Sequence, residues 1–167
     1  MKIEIINANA ADELIDKLGK FCFEEEMYYY ICGFIKQFLP ENRSSKKGKE
    51  SLKDIRHIVY AYLDEEGFVI AALHCYYTEY KGRAYNNQCE LFDLYVSKLQ
   101  RNKGIAKELI ECAIEKILAS DDLQVKKISV HFSTDGDNNV LSARKKIRFF
   151  FCDTMKVKYP NIVFDLT

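Results

Sequence analysis

The residues best suited to chemistry gather in one basic turn, Arg101-Asn102-Lys103-Gly104-Ile105-Ala106, and in the apolar run LFDLYV before it. The run delivers the chain to the turn, and an amphipathic helix pattern begins at Ile105. A helix start leaves its first N–H groups without partners inside the helix, and the helix dipole adds partial positive charge there. Gly104 lets a bulky anion approach the backbone, while Arg101, Lys103 and Lys107 supply counter-charge. Ala106 keeps the next position small. Such a turn suits a pyrophosphate.

Two common phosphate loops do not fit. The chain has no G-x-x-x-x-G-K-[ST], which excludes the nucleoside-triphosphate loop. It has no G-x-G-x-x-G either, and one glycine in the turn argues against a dinucleotide fold. What remains is R-x-x-G-x-A, placed after Leu94-Tyr95-Val96 and ahead of a helical pattern over 105–120.

That arrangement resembles the [QR]-x-x-G-x-[GA] signature of the GNAT superfamily of acyl-CoA-dependent N-acyltransferases, with the similarity concentrated over 88–118. The resemblance implies acetyl-CoA as co-substrate and no metal. Its pyrophosphate would lie against Arg101, Asn102, Lys103, Gly104, Ile105, Ala106 and Lys107. Its pantetheine would run along the backbone of Leu94, Tyr95 and Val96 like an added strand, with an N–H there stabilising the oxyanion. Glu90, fourteen positions before Gly104, falls where several members carry a general base. The chemistry needs one, because an ammonium must lose a proton before it attacks a thioester. Asp93 is the second choice: strict alternation puts it on the opposite face from Glu90, and a bulge would bring it round.

The family's acid is a tyrosine in N-x-x-A-x-x-x-Y on the last helix, and here the pattern departs. Asn138 and Asn139 precede Ala143, Asn139 being assigned to the cofactor, but Ile147 stands four positions after the alanine. The nearby Phe149, Phe150 and Phe151 carry no acidic proton, which leaves Tyr159 as a distant substitute. A thiolate with a pKa of roughly 8.5 leaves tolerably without an acid. The resemblance thus implies an N-acetyltransferase acting by direct attack in a ternary complex on a primary amine of a small molecule or protein. The alternative is a GNAT-fold CoA-binding sensor with weak or no turnover.

The elements that must position these groups are legible from periodicity. Lys2–Ile6 reads as a strand, and apolar residues from Ala10 to Cys22 recur at helical spacing behind Asn9 as a cap. A second helical run covers 27–39 and stops at Pro40. Its Tyr28, Tyr29 and Tyr30, with the acids 24–26, and the polar loop 41–51 mark the region expected to shape acceptor choice. Runs 55–64 and 68–79 form a hairpin around Asp64-Glu65-Glu66-Gly67, and 88–97 is the next strand. After helix 105–120 come a strand over 125–132 and a helix from Val140 to Phe151. Two short strands, 155–159 and 162–166, close the chain. The expected fold is therefore mixed α/β in the order β-α-α-β-β-β-α-β-α-β-β. Its centre is a mostly antiparallel mixed sheet of six to seven strands with helices on both faces, over one domain, 1–167.

Composition bounds the rest. With 167 residues, 48% hydrophobic and 30% charged, the chain has the make-up of an ordinary soluble globular protein. Its 25 basic and 25 acidic residues balance, which argues against a general nucleic-acid binder. No apolar run reaches the roughly 20 residues of a membrane span, and a cytoplasmic monomer or homodimer is expected. The six cysteines contain no C-x-x-C and sit in apolar patterns, as free thiols do. His57, His74 and His131 share no ligand spacing and read as strand-surface or core residues.

Overall fold

The computed structural model describes residues 2–6, 10–24, 55–78, 88–120, 125–131 and 138–166. They build one mixed sheet whose six strands lie side by side in chain order. These are β1 (Lys2–Ile6), β2 (Ile55–Leu63), β3 (Val69–Thr78), β4 (Gln88–Val96), β5 (Lys127–Val130) and β6 (Val163–Leu166). The pairings β1–β2, β2–β3 and β3–β4 are antiparallel, whereas β4–β5 and β5–β6 are parallel. Parallel neighbours need a long crossover, and α2 (Ile105–Leu118) and α3 (Asn138–Phe150) supply the two. The predicted helix 27–39, the loop 41–51 and the cap Asn9 lie outside the described residues.

The β2–β3 hairpin follows from its turn chemistry. Asp64 Oδ1 accepts from the N–H groups of Glu66 and Phe68 at 3.0 and 2.8 Å, and Gly67 takes φ +81°. The aspartate replaces the backbone partners that the turn removes, and only glycine enters that φ region without strain.

Alternation along β2 shows how the layers stack. Val59, Ala61 and Leu63 join Ile15, Leu18, Phe21 and Cys22 of α1 (Asp12–Glu24) in one buried cluster. Tyr60 and Tyr62 join the larger cluster formed with Ile105, Leu109, Ile110, Ala113, Ile114 and Ile117 of α2. Adjacent residues of a strand point to opposite faces, so α1 and α2 cover opposite sides of the sheet. The helical spacing of the α2 apolar residues is what closes its side.

The tail corrects the expected strand over 155–159. Alternation in Met-Lys-Val-Lys-Tyr imitates a strand, but α3 continues as a π-helical turn, Phe151–Met155, and a further turn, Lys156–Lys158. Phe151 and Met155 are fully buried one turn apart, while Val157, which a strand would bury with them, is 75% exposed. No hairpin forms around Pro160 and Asn161; β6 instead lies parallel to β5, from Lys127 beside Val163 to Val130 beside Leu166. Of the cysteines, Cys22, Cys75 and Cys89 are buried free thiols, but Cys152 is exposed rather than part of an apolar face.

Core packing along α2 sets a clear expectation. Leu109→Ala should cost about 2–5 kcal/mol in chemical denaturation, since the side chain is fully buried. Leu99→Ala, at a side chain 86% exposed, should change stability by less than about 0.5 kcal/mol.

Candidate active site

The sheet opens where β4 parts from β5. Parallel pairing runs from Gln88 beside Lys127 to Leu91 beside Val130, and a last bond joins His131 N–H to Leu91 O at 3.1 Å. β4 continues to Val96 with no strand paired on that side among the described residues. Within this stretch the register with β3 slips: Cys75 faces Leu91 but Leu73 faces Leu94. Two residues of β4 thus oppose one of β3, which makes a bulge at Phe92-Asp93 across from His74.

The bulge decides which groups face the fork. Ser97 N–H donates to Ile70 O at 2.9 Å, so by strand period the amide groups of Tyr95 also face β3. Those of Leu94 and Val96 face away from β3, into the fork. Without the extra residue, Asp93 and Tyr95 would face it instead.

Beyond Val96 a 3₁₀ turn, Lys98–Gln100, leads into the basic turn. Asn102 and Gly104 take φ values of +64° and +85°, and Gly104 is the residue at which α2 starts. Among the described residues nothing lies within 4 Å of where a Gly104 Cβ would stand, so its backbone conformation, φ +85°, is what calls for glycine there. The same open space leaves the helix start accessible; Lys107 N–H turns back to Gly104 O at 2.9 Å, and among the described residues no side chain caps the N–H groups of Ile105 and Ala106. Arg101 Nε donates to Val96 O at 3.0 Å, and its guanidinium sits 5.4 Å from the Tyr95 ring centroid. Lys103 Nζ donates to Gln100 Oε1 at 2.8 Å, and Lys107 Nζ lies 5.5 Å from the Phe150 ring centroid. The three cations therefore ring the turn. Glu108, whose carboxylate would oppose an anion there, accepts a 2.7 Å bond from Tyr62 Oη.

Both candidate carboxylates project on the α1 side. Cys89, Leu91, Leu94 and Val96 belong to the α2-side core, so Glu90 and, through the bulge, Asp93 point to the other face. Glu90 Oε1 accepts from Gln88 Nε2 at 3.3 Å, and that nitrogen also meets Ser129 Oγ at 3.0 Å. His131 Nε2 lies 3.7 Å from Glu90 Oε2. Asp93 Oδ2 lies 4.0 Å from Nδ1 of the buried His74, is itself buried, and has no hydrogen-bond partner among the described residues. Burial holds the Asp93 carboxyl above its ordinary pKa.

Each carboxylate thus has an imidazole beside it, although the histidines are remote in sequence. Nothing in their spacing announced this. His74 could have been suspected only from its place between Ala72 and Tyr76 on one strand face, and its partner only from the bulge. Asn139 falls in the first turn of α3, and its side chain, like that of His57, lies outside the described residues. Tyr159 packs against the α2-side core next to Lys158, whose Nζ donates to Glu115 Oε1 at 2.7 Å. Glu115 is ten residues into α2, about 15 Å from the helix start. Tyr159 is therefore on the other face from Glu90 and away from the turn. Among the described residues no group of three or more His, Cys, Asp or Glu could hold a metal ion, and no helix is long and apolar enough to cross a membrane.

The raised Asp93 pKa gives a signed expectation for stability. The folded state holds this proton more tightly than the unfolded chain, so Asp93 costs stability as pH rises through the carboxyl range toward neutrality. Asp93→Asn should stabilise the fold at neutral pH, with the gain shrinking toward acid pH. Denaturation midpoints across that range would show it, and a pH-independent difference would remove the burial argument.

Comparison with known proteins agrees with this geometry. The model of the Acetyltransferase (GNAT) family matches residues 13–141. No curated protein matches the sequence. Among solved structures, the chain is similar to an aminoglycoside acetyltransferase from an uncultured soil metagenomic sample, in complex with sisomicin. That pair shares 18% identity at a TM-score of 0.51, covering 88% of this chain and 84% of the other. It is also similar to the ribosomal-protein-alanine N-acetyltransferase of Brucella melitensis biovar Abortus 2308, at 14% identity and TM-score 0.53 over 88% and 91% of the two chains. Tetrahymena GCN5 gives 14% identity and TM-score 0.53 over 87% and 77%. At these identities the structures speak for the fold, and the family match over most of the chain speaks for kinship: the protein belongs to the GNAT family of acetyltransferases.

Proposed function

We propose that the protein is an acetyl-CoA-dependent N-acetyltransferase that acts on a primary amine by direct attack in a ternary complex. The observation carrying this reading is the meeting, at the end of β4 within the sheet, of a strand fork and a helix start that no side chain caps among the described residues. The amide groups of Leu94 and the N–H of Val96, which face the fork, suit an extended pantetheine arm, which brings its own amides. The open space at Gly104, the N–H groups of Ile105 and Ala106 at the start of α2 and the ring of Arg101, Lys103 and Lys107 suit a pyrophosphate. When bound there, acetyl-CoA supplies the activated acetyl group.

The chain's own part is to orient the acetyl group, remove a proton and stabilise charge. The N–H of Leu94 donates to the thioester oxygen as negative charge develops on it. Glu90 takes the proton of the acceptor ammonium, so that the nitrogen lone pair is free to attack. Glu90 lies opposite Tyr76 and Leu94 opposite Leu73, three residues on, so at about 3.3 Å per residue Glu90 stands roughly 10 Å along the strand from Leu94, which makes a short chain of waters the natural carrier. His131, half-exposed beside Glu90, lies on the path by which that proton reaches solvent. The acceptor enters from the α1 side, where both carboxylates point, and a cationic amine complements them.

Two variants separate binding from chemistry. Arg101→Glu should abolish most of the rise in melting temperature that acetyl-CoA causes in the parent protein, because it sets a negative charge against the pyrophosphate. An unchanged shift would refute the loop assignment. Glu90→Gln should keep that shift and lower kcat about 10²–10⁴-fold, most strongly at low pH, in an acetyl-CoA turnover screen across amines. A pH–rate profile identical to that of the parent would dismiss Glu90 as the base.

A further inference from the structure

We propose that His74 is a positioning residue for acyl transfer: it shares a proton with Asp93 across the β4 bulge and thereby fixes the Asp93–Leu94 peptide whose N–H faces the thioester oxygen. This rests on the acetyltransferase reading above.

The bulge leaves His74 opposite two residues of β4, and Asp93 is the one followed by Leu94. Asp93 Oδ2 is buried with no hydrogen-bond partner among the described residues, a placement that costs free energy unless a donor comes within reach. The imidazole Nδ1 stands 4.0 Å away. A closure of about 1 Å, within reach of side-chain rotation, makes a true hydrogen bond. With one proton between them, the pair is either carboxyl and imidazole or carboxylate and imidazolium. Both are net neutral, the state that burial favours. Burial already raises the Asp93 pKa, in keeping with a proton retained at the pair.

Other titratable groups on this face are Glu90, Tyr76, Tyr95 and, beside Glu90, His131 from the sheet and Cys22 from α1, while β2 presents Val59 opposite His74. None of them takes the place opposite the bulge. Pinning the Asp93 side chain restricts the backbone torsions on either side of the Asp93–Leu94 peptide. The direction of the Leu94 N–H follows from those torsions, and a misdirected oxyanion donor costs rate more than affinity.

The test combines nuclear magnetic resonance with kinetics on the full chain. In the parent protein the Leu94 amide signal should titrate together with the His74 imidazole. Asp93→Asn should lower the His74 midpoint, since the carboxylate that favours the imidazolium is gone, and Leu94 should cease to follow it. A His74 midpoint unmoved in Asp93→Asn, or a Leu94 amide indifferent to His74, overturns the proposal whether or not the protein turns over. In turnover, His74→Phe should lower kcat about 10- to 100-fold with acetyl-CoA affinity little changed, and His74→Gln, which keeps a donor, should recover most of it. His74→Phe combined with Asp93→Asn should be no slower than Asp93→Asn alone. Full additivity, or a folded His74→Phe with parental kcat, overturns the role. Should His74→Phe fail to fold, the cycle is run with His74→Gln, whose coupling to Asp93→Asn must still be non-additive. A parent protein that acetylates no amine sinks the acetyltransferase reading, and the resonance experiment decides the pair separately.

Discussion

One extra residue in β4 governs the geometry on which the site depends. The bulge at Phe92-Asp93 changes the phase of the strand just where β5 leaves it. Three consequences follow from that single shift. The amide groups of Leu94 and Val96, rather than those of Asp93 and Tyr95, face the fork. The side chain of Asp93 turns away from the α2-side core, where strict alternation would have buried a carboxylate among Leu91, Ile105 and Leu109. Glu90 and Asp93 come to lie on one face. A strand without the bulge would keep the same composition and lose all three.

The second half of the site depends on how the chain turns from strand to helix. Arg101 binds the carbonyl of Val96 and covers the Tyr95 ring, and Tyr95 in turn meets Phe21 of α1 edge to face at 6.0 Å. The turn is thus fastened to β4 and, through it, to the helix on the far side of the sheet. At the other end of the turn, Tyr62 holds Glu108 in the first turn of α2, and this bond together with the Glu108 charge raises the tyrosine pKa. The helix start is held from the sheet while, among the described residues, no side chain caps the N–H groups of Ile105 and Ala106. Rigid support with unfilled hydrogen-bonding capacity is the physical condition for binding an anion through backbone.

The face opposite α2 is polar where it meets the fork and apolar where α1 covers it. Ile6, Val59, Ala61 and Ala72 pack under α1, whereas His74, Glu90, Asp93, Ser129 and His131 follow toward β5. Burying polar groups without full satisfaction lowers stability, and functional sites are where folds retain such groups. The Asp93 carboxylate oxygen is the plainest instance. It contributes nothing to packing that a leucine would not do better.

The sequence by itself determined the elements whose signal is local. The hairpin was legible because Asp64 and Gly67 have one efficient turn to make, and α2 because its apolar residues repeat at helical spacing behind a glycine. The basic turn was legible for the same reason, its strand, turn and helix being contiguous. The tail misled because Met155, Val157 and Tyr159 alternate as a strand does. Only the burial of Phe151 and Met155 against a distant sheet decides in favour of a helix, and β6 then has β5 beside it rather than a hairpin partner. The site divides along the same line. Glu90 and Arg101 were readable from their distance to Gly104, but the pairing of Asp93 with His74 and of Glu90 with His131 was not. Those contacts depend on register between strands far apart in the chain, and register is set by the sum of cross-strand packing and by one inserted residue, which no local pattern records.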